Sequence, residues 1–414
     1  MFERAPFRDC PACAAVGELG VLSVGKSILT RRCRRCRHTV REVLPPVDKA
    51  VIYLDQFAIS NVYKVSSGTL RDNATGRAFW VRLHDAVRRA YLLQQAVFPS
   101  SNIHDDETLV NLGMADGLRL AHDMLSGDTE FHRVEDVVMA QVWAFAEAYA
   151  EGRPPPDLDF DVDGILDGER NAWLPELHIS ANMSFSQFAP AVRAGRDSAA
   201  AEFQAFAVQW AKDKPSFRTV LKRELNSLSS ANRGAVRASA ERLQRGLETG
   251  DWVEMVEGND STVMRQFRQL RSFFEKRGVA EDRSAQAVVD FWDWKGNHQL
   301  PEHRVSSYLF AGLARRMASG QGPPDRGTLN DIRAIATYGS YVDAMFIDKM
   351  FETLLGERPL ATELSMKARF FSVRNGEAFL AYLNALSARA GEDREVGNRR
   401  RRRRRTGLRQ PEAA

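Results

Sequence analysis

The chain has 414 residues, 44% of them hydrophobic and 27% charged, with a formal net charge of +4. This composition excludes a disordered, collagenous or disulfide-scaffold protein, and the length suits two or three domains. No run of about 18 uncharged apolar residues occurs, and Arg4, Arg8 and Asp9 open the chain without an apolar signal region, so a cytoplasmic protein with no membrane partner is expected.

The charge is unevenly distributed. Residues 1–46 carry +5 and residues 389–414 carry +6, leaving −7 on the body between them. Basic ends around an acidic body point to a polyanion partner and to carboxylates gathered for a metal.

All four cysteines fall near the N-terminus, as Cys10-Pro-Ala-Cys13 and Cys33-Arg-Arg-Cys36, with 19 residues between the pairs. Four thiolates at this spacing suit one tetrahedral Zn²⁺, and with no open coordination position the metal is structural. Two disulfides are the other reading, but nothing marks the chain as exported. The intervening stretch predicts a hairpin with Gly17, Gly20 and Gly25 at turns, so residues 1–46 resemble a zinc ribbon. Arg31, Arg32, Arg34, Arg35 and Arg37 form a basic patch at the second knuckle. Part of it offsets the charge of a Zn(Cys)4 centre and the rest can grip phosphates. His38 is a surface residue.

Val51-Ile52-Tyr53-Leu54 is apolar without alternation, as in a strand covered on both faces, and it stops at Asp55. A helix is predicted over about 77–93, a second strand over 94–100, and a helix from near His104 to Leu125. Residues 126–324 read as a mostly helical insertion with a boundary at Pro154-Pro155-Pro156. Its apolar stripes, Val263, Phe267, Leu270 and Phe274, then Val305, Leu309, Leu313 and Met317, are core faces. Within it, 157–169 looks like a calcium loop that starts at Asp159. Its twelfth position is Arg170 rather than a bidentate Glu, so it is an acidic loop.

The α/β pattern returns with a helix over about 326–338 and a strand over 344–347 that stops at Asp348. A short helix (349–356), a strand near 368–373 and a helix (376–389) follow. The fold class is thus α/β, with a central parallel sheet built from 47–125 and 325–390 and split by the insertion. Residues 391–414 form a disordered tail. Its Arg399, Arg400, Arg401, Arg402, Arg403, Arg404 and Arg405 suit salt-sensitive phosphate binding, or only a solvated tail.

Four acids stand out by position. Asp55 and Asp348 each follow an apolar strand, and ligands of open α/β sheets bind beyond the carboxyl ends of the strands. Glu107 begins the stripe Glu107, Val110, Met114, Leu118, Ala121, Leu125, and Asp331 shares a face with Ile335 and Tyr338, so both point inward. A carboxylate on a buried helix face is costly unless it is paired or metal-bound. Hard oxygen ligands of this kind select Mg²⁺ or Mn²⁺. Asp343 would lie about 16 Å from Asp348 at the far end of its strand, with opposite parity, and is second-rank. His104 sits one turn before Glu107, where it could bond a carboxylate or phosphate or serve only in packing.

The order of these acids resembles that of the PIN-like nuclease domain: after strand one in VIYLDQF (Asp55), on an early helix in SNIHDDE (Glu107), on a late helix in NDIRAIA (Asp331), and after the next strand in VDAMFIDKMF (Asp348). Ser101-x-x-His104-x-x-Glu107 and Tyr341-x-Asp343-Ala344 look like one branch of these proteins, and ARFFSVRNGEAFLAYLNAL resembles the closing strand and helix. The resemblance covers about 47–125 and 325–388; the insertion departs from it. It implies a three-layer domain in which Asp55, Glu107, Asp331 and Asp348 hold Mg²⁺ or Mn²⁺ for hydrolysis of RNA, endonucleolytically; the acids alone do not distinguish RNA from DNA. Two alternatives stay open. One is a non-catalytic nucleic-acid-binding or regulatory protein that uses the ribbon and the arginine tail. The other is a toxin or phage-defence effector whose nuclease is held inactive by the insertion or a protein partner.

Overall fold

The computed structural model describes residues 7–110, 113–127, 129–173, 189–322 and 325–386. The N-terminal module is an antiparallel sheet in the order β1 (Phe7–Arg8), β2 (Leu19–Val24), β3 (Ile28–Cys33), β4 (Thr39–Val43). The hairpin between β2 and β3 closes at Gly25, whose N–H bonds Ile28 O at 2.8 Å. Gly17 takes φ +66° in a turn, as expected. Gly20 does not: it lies inside β2, where a Cβ would come within 3.0 Å of the Phe7 ring, so its smallness serves close approach.

Next come β5 (Ala50–Leu54), α1 (Gln56–Ser66), α2 (Arg77–Leu92) and β6 (Ala96–Val97). The second strand is shorter than expected because only two residues pair with β5. The single helix expected to Leu125 is two, α3 (Asn102–Val110) and α4 (Ala115–Ser126), so the stripe from Glu107 to Leu125 is broken near Met114, the α4 N-cap. Short strands β7 (Glu130–Phe131) and β8 (Leu166–Asp167) flank α5 (Val134–Ala150). Then follow α6 (Ala189–Asp213), α7 (Phe217–Leu225), α8 (Leu228–Thr249), α9 (Trp252–Asn259), α10 (Thr262–Glu275), α11 (Glu281–Asp293) and α12 (Pro301–Ala318). The chain closes through α13 (Thr328–Tyr338), β9 (Ala344–Phe346), α14 (Lys349–Leu355), α15 (Leu360–Glu363), β10 (Arg369–Phe371) and a helix over 376–386, α16. The arginines 399–405 lie outside the described residues.

The second sheet is parallel, in the order β10-β9-β5-β6. Strand alternation explains its unbroken hydrophobicity. Val51, Tyr53, Met345 and Ile347 enter one core with α12 and α13, while Ile52, Leu54, Ala344 and Phe346 enter another with α1, α2 and α16. Both faces are covered, giving layers of helix, sheet and helix.

The edge of the core does not fall at residue 126. Phe203, Trp210, Val220, Val305, Leu309 and Leu313, all within 126–324, share one cluster with the sheet strands, while α10 and α11 with part of α5 form a separate cluster around Phe145, Leu270 and Trp292. The stripe Val305, Leu309, Leu313 and Met317 is buried as expected. In the acidic loop, Arg170 itself supplies the cation, contacting Asp163 at 2.5 Å and Asp48 at 3.1 Å.

Candidate functional site

The four cysteines converge. Their sulfurs lie within 4.8 Å of one another, with Cys10–Cys36 at 3.5 Å and Cys13–Cys33 at 3.8 Å. A tetrahedral Zn²⁺ with Zn–S near 2.3 Å would hold its sulfurs about 3.8 Å apart, whereas a disulfide needs about 2.05 Å. All four are thiols, so the disulfide reading fails. The two knuckles are built alike. Ala14 N bonds Cys10 O at 2.9 Å and Arg37 N bonds Cys33 O at 3.0 Å. The residue after each pair, Ala14 (φ 54°) and Arg37 (φ 62°), is left-handed, a conformation uncommon outside glycine. Burial pushes the Cys10 thiol up, but the Ala12 and Cys13 N–H groups and the Cys36 and Cys13 thiols outweigh it and lower it to about 6. The residues therefore fit a structural zinc.

The arginine patch divides. Arg32, Arg34, Arg35 and Arg37 are exposed, and Arg34 lies 4.8 Å over the Phe7 ring. Arg31 is not part of the surface. It is 1% exposed, facing Glu42 at 3.4 Å, because β3 alternation places it on the inner face with Leu29 and Cys33.

The carboxyl ends of β5 and β9 carry Asp55 and Asp348. Leu54 pairs with Phe346, and Asp55 N–H donates to Phe346 O at 3.0 Å, so both aspartates leave the same edge. Each also caps a helix: Gln56 N–H donates to Asp55 Oδ1 at 2.7 Å and Met350 N–H to Asp348 Oδ1 at 2.6 Å. Glu107 accepts from Asn330 Nδ2 at 2.8 Å and faces Arg196 Nη2 at 3.5 Å. Asp331 is half-buried, with Ile335 and Tyr338 fully buried on its helix.

These acids act on one another. Burial first, then the charges of Glu107, Asp348 and Asp325, push Asp55 up to about 8. Burial, then Asp55, Glu107, Asp348 and Asp325, hold Asp331 well above the carboxylate range. Burial also raises Glu107, against Asn330 and Arg196, which lower it. Burial together with neighbouring acids thus favours the protonated forms of Asp55 and Asp331 in the metal-free protein. Their oxygens are held more loosely than the thiols: among the described residues, the cysteine sulfurs are the set of three or more ligand atoms within 4.8 Å.

The second-rank residues separate from this cluster. Asp343 accepts from Val51 N–H at 2.8 Å and pairs with Lys367 at 3.2 Å, at the opposite end of the strands, so its role is structural. Ser101 N–H donates to His104 Nδ1 at 3.1 Å, which leaves Nε2 as the protonated nitrogen donating to Leu54 O at 2.8 Å. His104 therefore grips the residue before Asp55 and contacts no carboxylate. Burial and His122 hold it well below the usual histidine range, so it stays neutral. Beneath Asp55, Gln56 donates to Thr108 at 2.9 Å and meets His122 Nε2 at 3.1 Å.

Family models, curated proteins and solved structures give no match to this chain. The site thus rests on its own geometry. Sequence reasoning missed Gln56, Thr108, His122, Asn330 and Arg196. Asp325 had a readable signal, since Asp325-x-x-Thr328 precedes a helix, and Asp325 Oδ1 accepts from Gly327 N–H and Thr328 N–H. No helix among the described residues is long and apolar enough to cross a membrane.

His104→Ala leaves the buried Leu54 carbonyl and Ser101 amide unpartnered. Urea unfolding should show a loss of about 1–3 kcal/mol.

Proposed function

We propose that this chain is a metal-dependent nuclease of the PIN-like kind, acting on RNA endonucleolytically. The observation that carries the reading is the gathering of Asp55, Glu107, Asp331 and Asp348 at one sheet edge, where burial first and then the neighbouring acids raise the proton affinity of Asp55 and Asp331. Those four acids would hold Mg²⁺ or Mn²⁺, which would supply Lewis acidity and an activated water for in-line attack on phosphate. The protein's own part is to fix the acids. The strand register sets Asp55 and Asp348, His104 pins Leu54, and Asn330 orients Glu107. Incubation with Mn²⁺ and mixed RNA and DNA should yield internal cleavage of RNA, with activity lost in Asp55→Asn and Asp348→Asn. Equal cleavage by these variants would sink the assignment.

The looser spacing of the acids relative to the thiols favours a second reading, a nucleic-acid-binding protein on a non-catalytic scaffold. Binding with no cleavage under any divalent metal would establish it.

In either case the exposed ribbon arginines would meet phosphates. Replacing Arg34, Arg35 and Arg37 together with Ala should flatten the plot of log affinity against log salt by about 2, at roughly 0.7 per single-strand phosphate contact. Arg31→Ala should leave that slope unchanged and lower the melting temperature of the ribbon, because Arg31 is buried against Glu42.

A further inference from the structure

The strongest influences on Asp55 and Asp331, apart from burial and the Gln56 N–H, are all acids. A substrate phosphate approaching their ionised forms would meet the same repulsion. Glu107 has a cation beside it, and that cation comes from the insertion: Arg196, on α6. Its side chain is 23% exposed, so it borders solvent beside Glu107.

Helix α6 is mounted to present it. Phe203, Ala207 and Trp210 anchor its C-terminal half in the core shared with the sheet and α12. Its N-terminal half is mostly exposed; Arg193 Nη2 donates to Val110 O at the end of α3 at 2.7 Å, and Asp197 pairs with Arg326, just before α13, at 3.2 Å. Arg196 is not the sole partner of Glu107, because Asn330 also holds Oε1 at 2.8 Å. The contact itself is long and one-sided, with Nη2 at 3.5 Å from Glu107 Oε1, which leaves the planar fork suited to a bidentate phosphate.

We infer that Arg196 is a substrate-phosphate ligand of this site, contributed by the helical insertion and parked on Glu107 when no RNA is bound. The inference rests on the nuclease reading. With a cation held by the acids, Arg196 would be free to leave Glu107 for a substrate phosphate. Its donors then offset charge on the non-bridging oxygens as the transition state forms. The insertion thus completes the site rather than only capping it.

The test uses the full chain with zinc in place. Arg196→Ala should lower kcat/KM for RNA cleavage with Mn²⁺ by about 100-fold, the scale of losing one charge-stabilising donor. Arg196→Lys should recover part of it, and added guanidinium ion should partly rescue the Ala variant, which a packing defect would not allow. A second readout is independent of turnover. In an Asp55→Asn background, Arg196→Ala should weaken RNA binding and reduce the salt slope by about 0.7, while Arg196→Lys should keep the slope. Cleavage by the Arg196→Ala variant at the wild-type rate would overturn the inference and leave the nuclease reading intact. A faster rate would also overturn it, identifying Arg196 as an inhibitory latch. No cleavage by the wild-type protein would overturn both.

Discussion

Asp55→Asn should make the metal-free protein more stable near neutral pH while removing the proposed cleavage activity. The group's proton affinity is raised to about 8 by burial and by Glu107, Asp348 and Asp325, against an ordinary value near 4 in the unfolded chain. The folded state therefore binds the proton more tightly than the unfolded state. Stability is fully present below about pH 4 and is lost as pH rises towards about 8, because ionisation in the folded state is opposed. After allowance for partial exposure, the effect is on the order of 2–3 kcal/mol. Asparagine keeps the oxygen that caps α1 and removes the charge, so the variant should unfold at a higher temperature near pH 8 and lose the pH dependence. Mn²⁺ should stabilise the wild type at that pH and leave the variant unaffected. A variant that is less stable than the wild type across this range would mean that the acids do not repel one another. A functional site that lowers stability in this way is an expected cost of holding like charges together.

Removal of zinc should unfold the N-terminal sheet. The buried apolar side chains of that module are Cys10, Ala15, Leu19, Leu29, Cys33 and Leu44, far too little apolar surface to hold four strands. Binding of structural zinc contributes about 10–16 kcal/mol in small domains of this type. The purified protein should therefore contain one zinc per chain by elemental analysis. Cys33→Ser should lose the metal and the proteolytic protection of residues 7–43, while the unfolding of the α/β body persists. Retention of a protected ribbon without metal would contradict this account.

Both sites show which features a sequence can carry. The cysteine spacing and the two strand-terminal aspartates are local signals. A knuckle aims two sulfurs at one point, and a buried parallel strand must end where its apolar run ends. The placement of Asp55 and Asp348 at strand ends was legible for that reason, and the inward lean of Glu107 and Asp331 followed from helical phase within a single turn or two. Legibility stopped where tertiary packing decides. The phase of Glu107 did not extend to Leu125 because the helix breaks before Met114. Arg31 read as surface until the register of β3 turned it inward. His104 had the right position for a ligand, but the Leu54 carbonyl claimed its proton. Arg196 lies 89 residues from Glu107, and nothing local could pair them. The sharing of one core between the sheet and α6, α7 and α12 is likewise a product of helix–sheet packing that no periodicity predicts.

The measurement closest to the central claim is a calorimetric titration of Mn²⁺ into the zinc-loaded protein, alongside Asp331→Asn. Removal of one acid from a cation site held by four should weaken binding by about 10-fold or more, since the remaining ligands lose charge and geometry together. The account predicts Mn²⁺ binding to the wild-type protein and that loss in the variant. Absence of Mn²⁺ binding, or equal binding by Asp331→Asn, would contradict it.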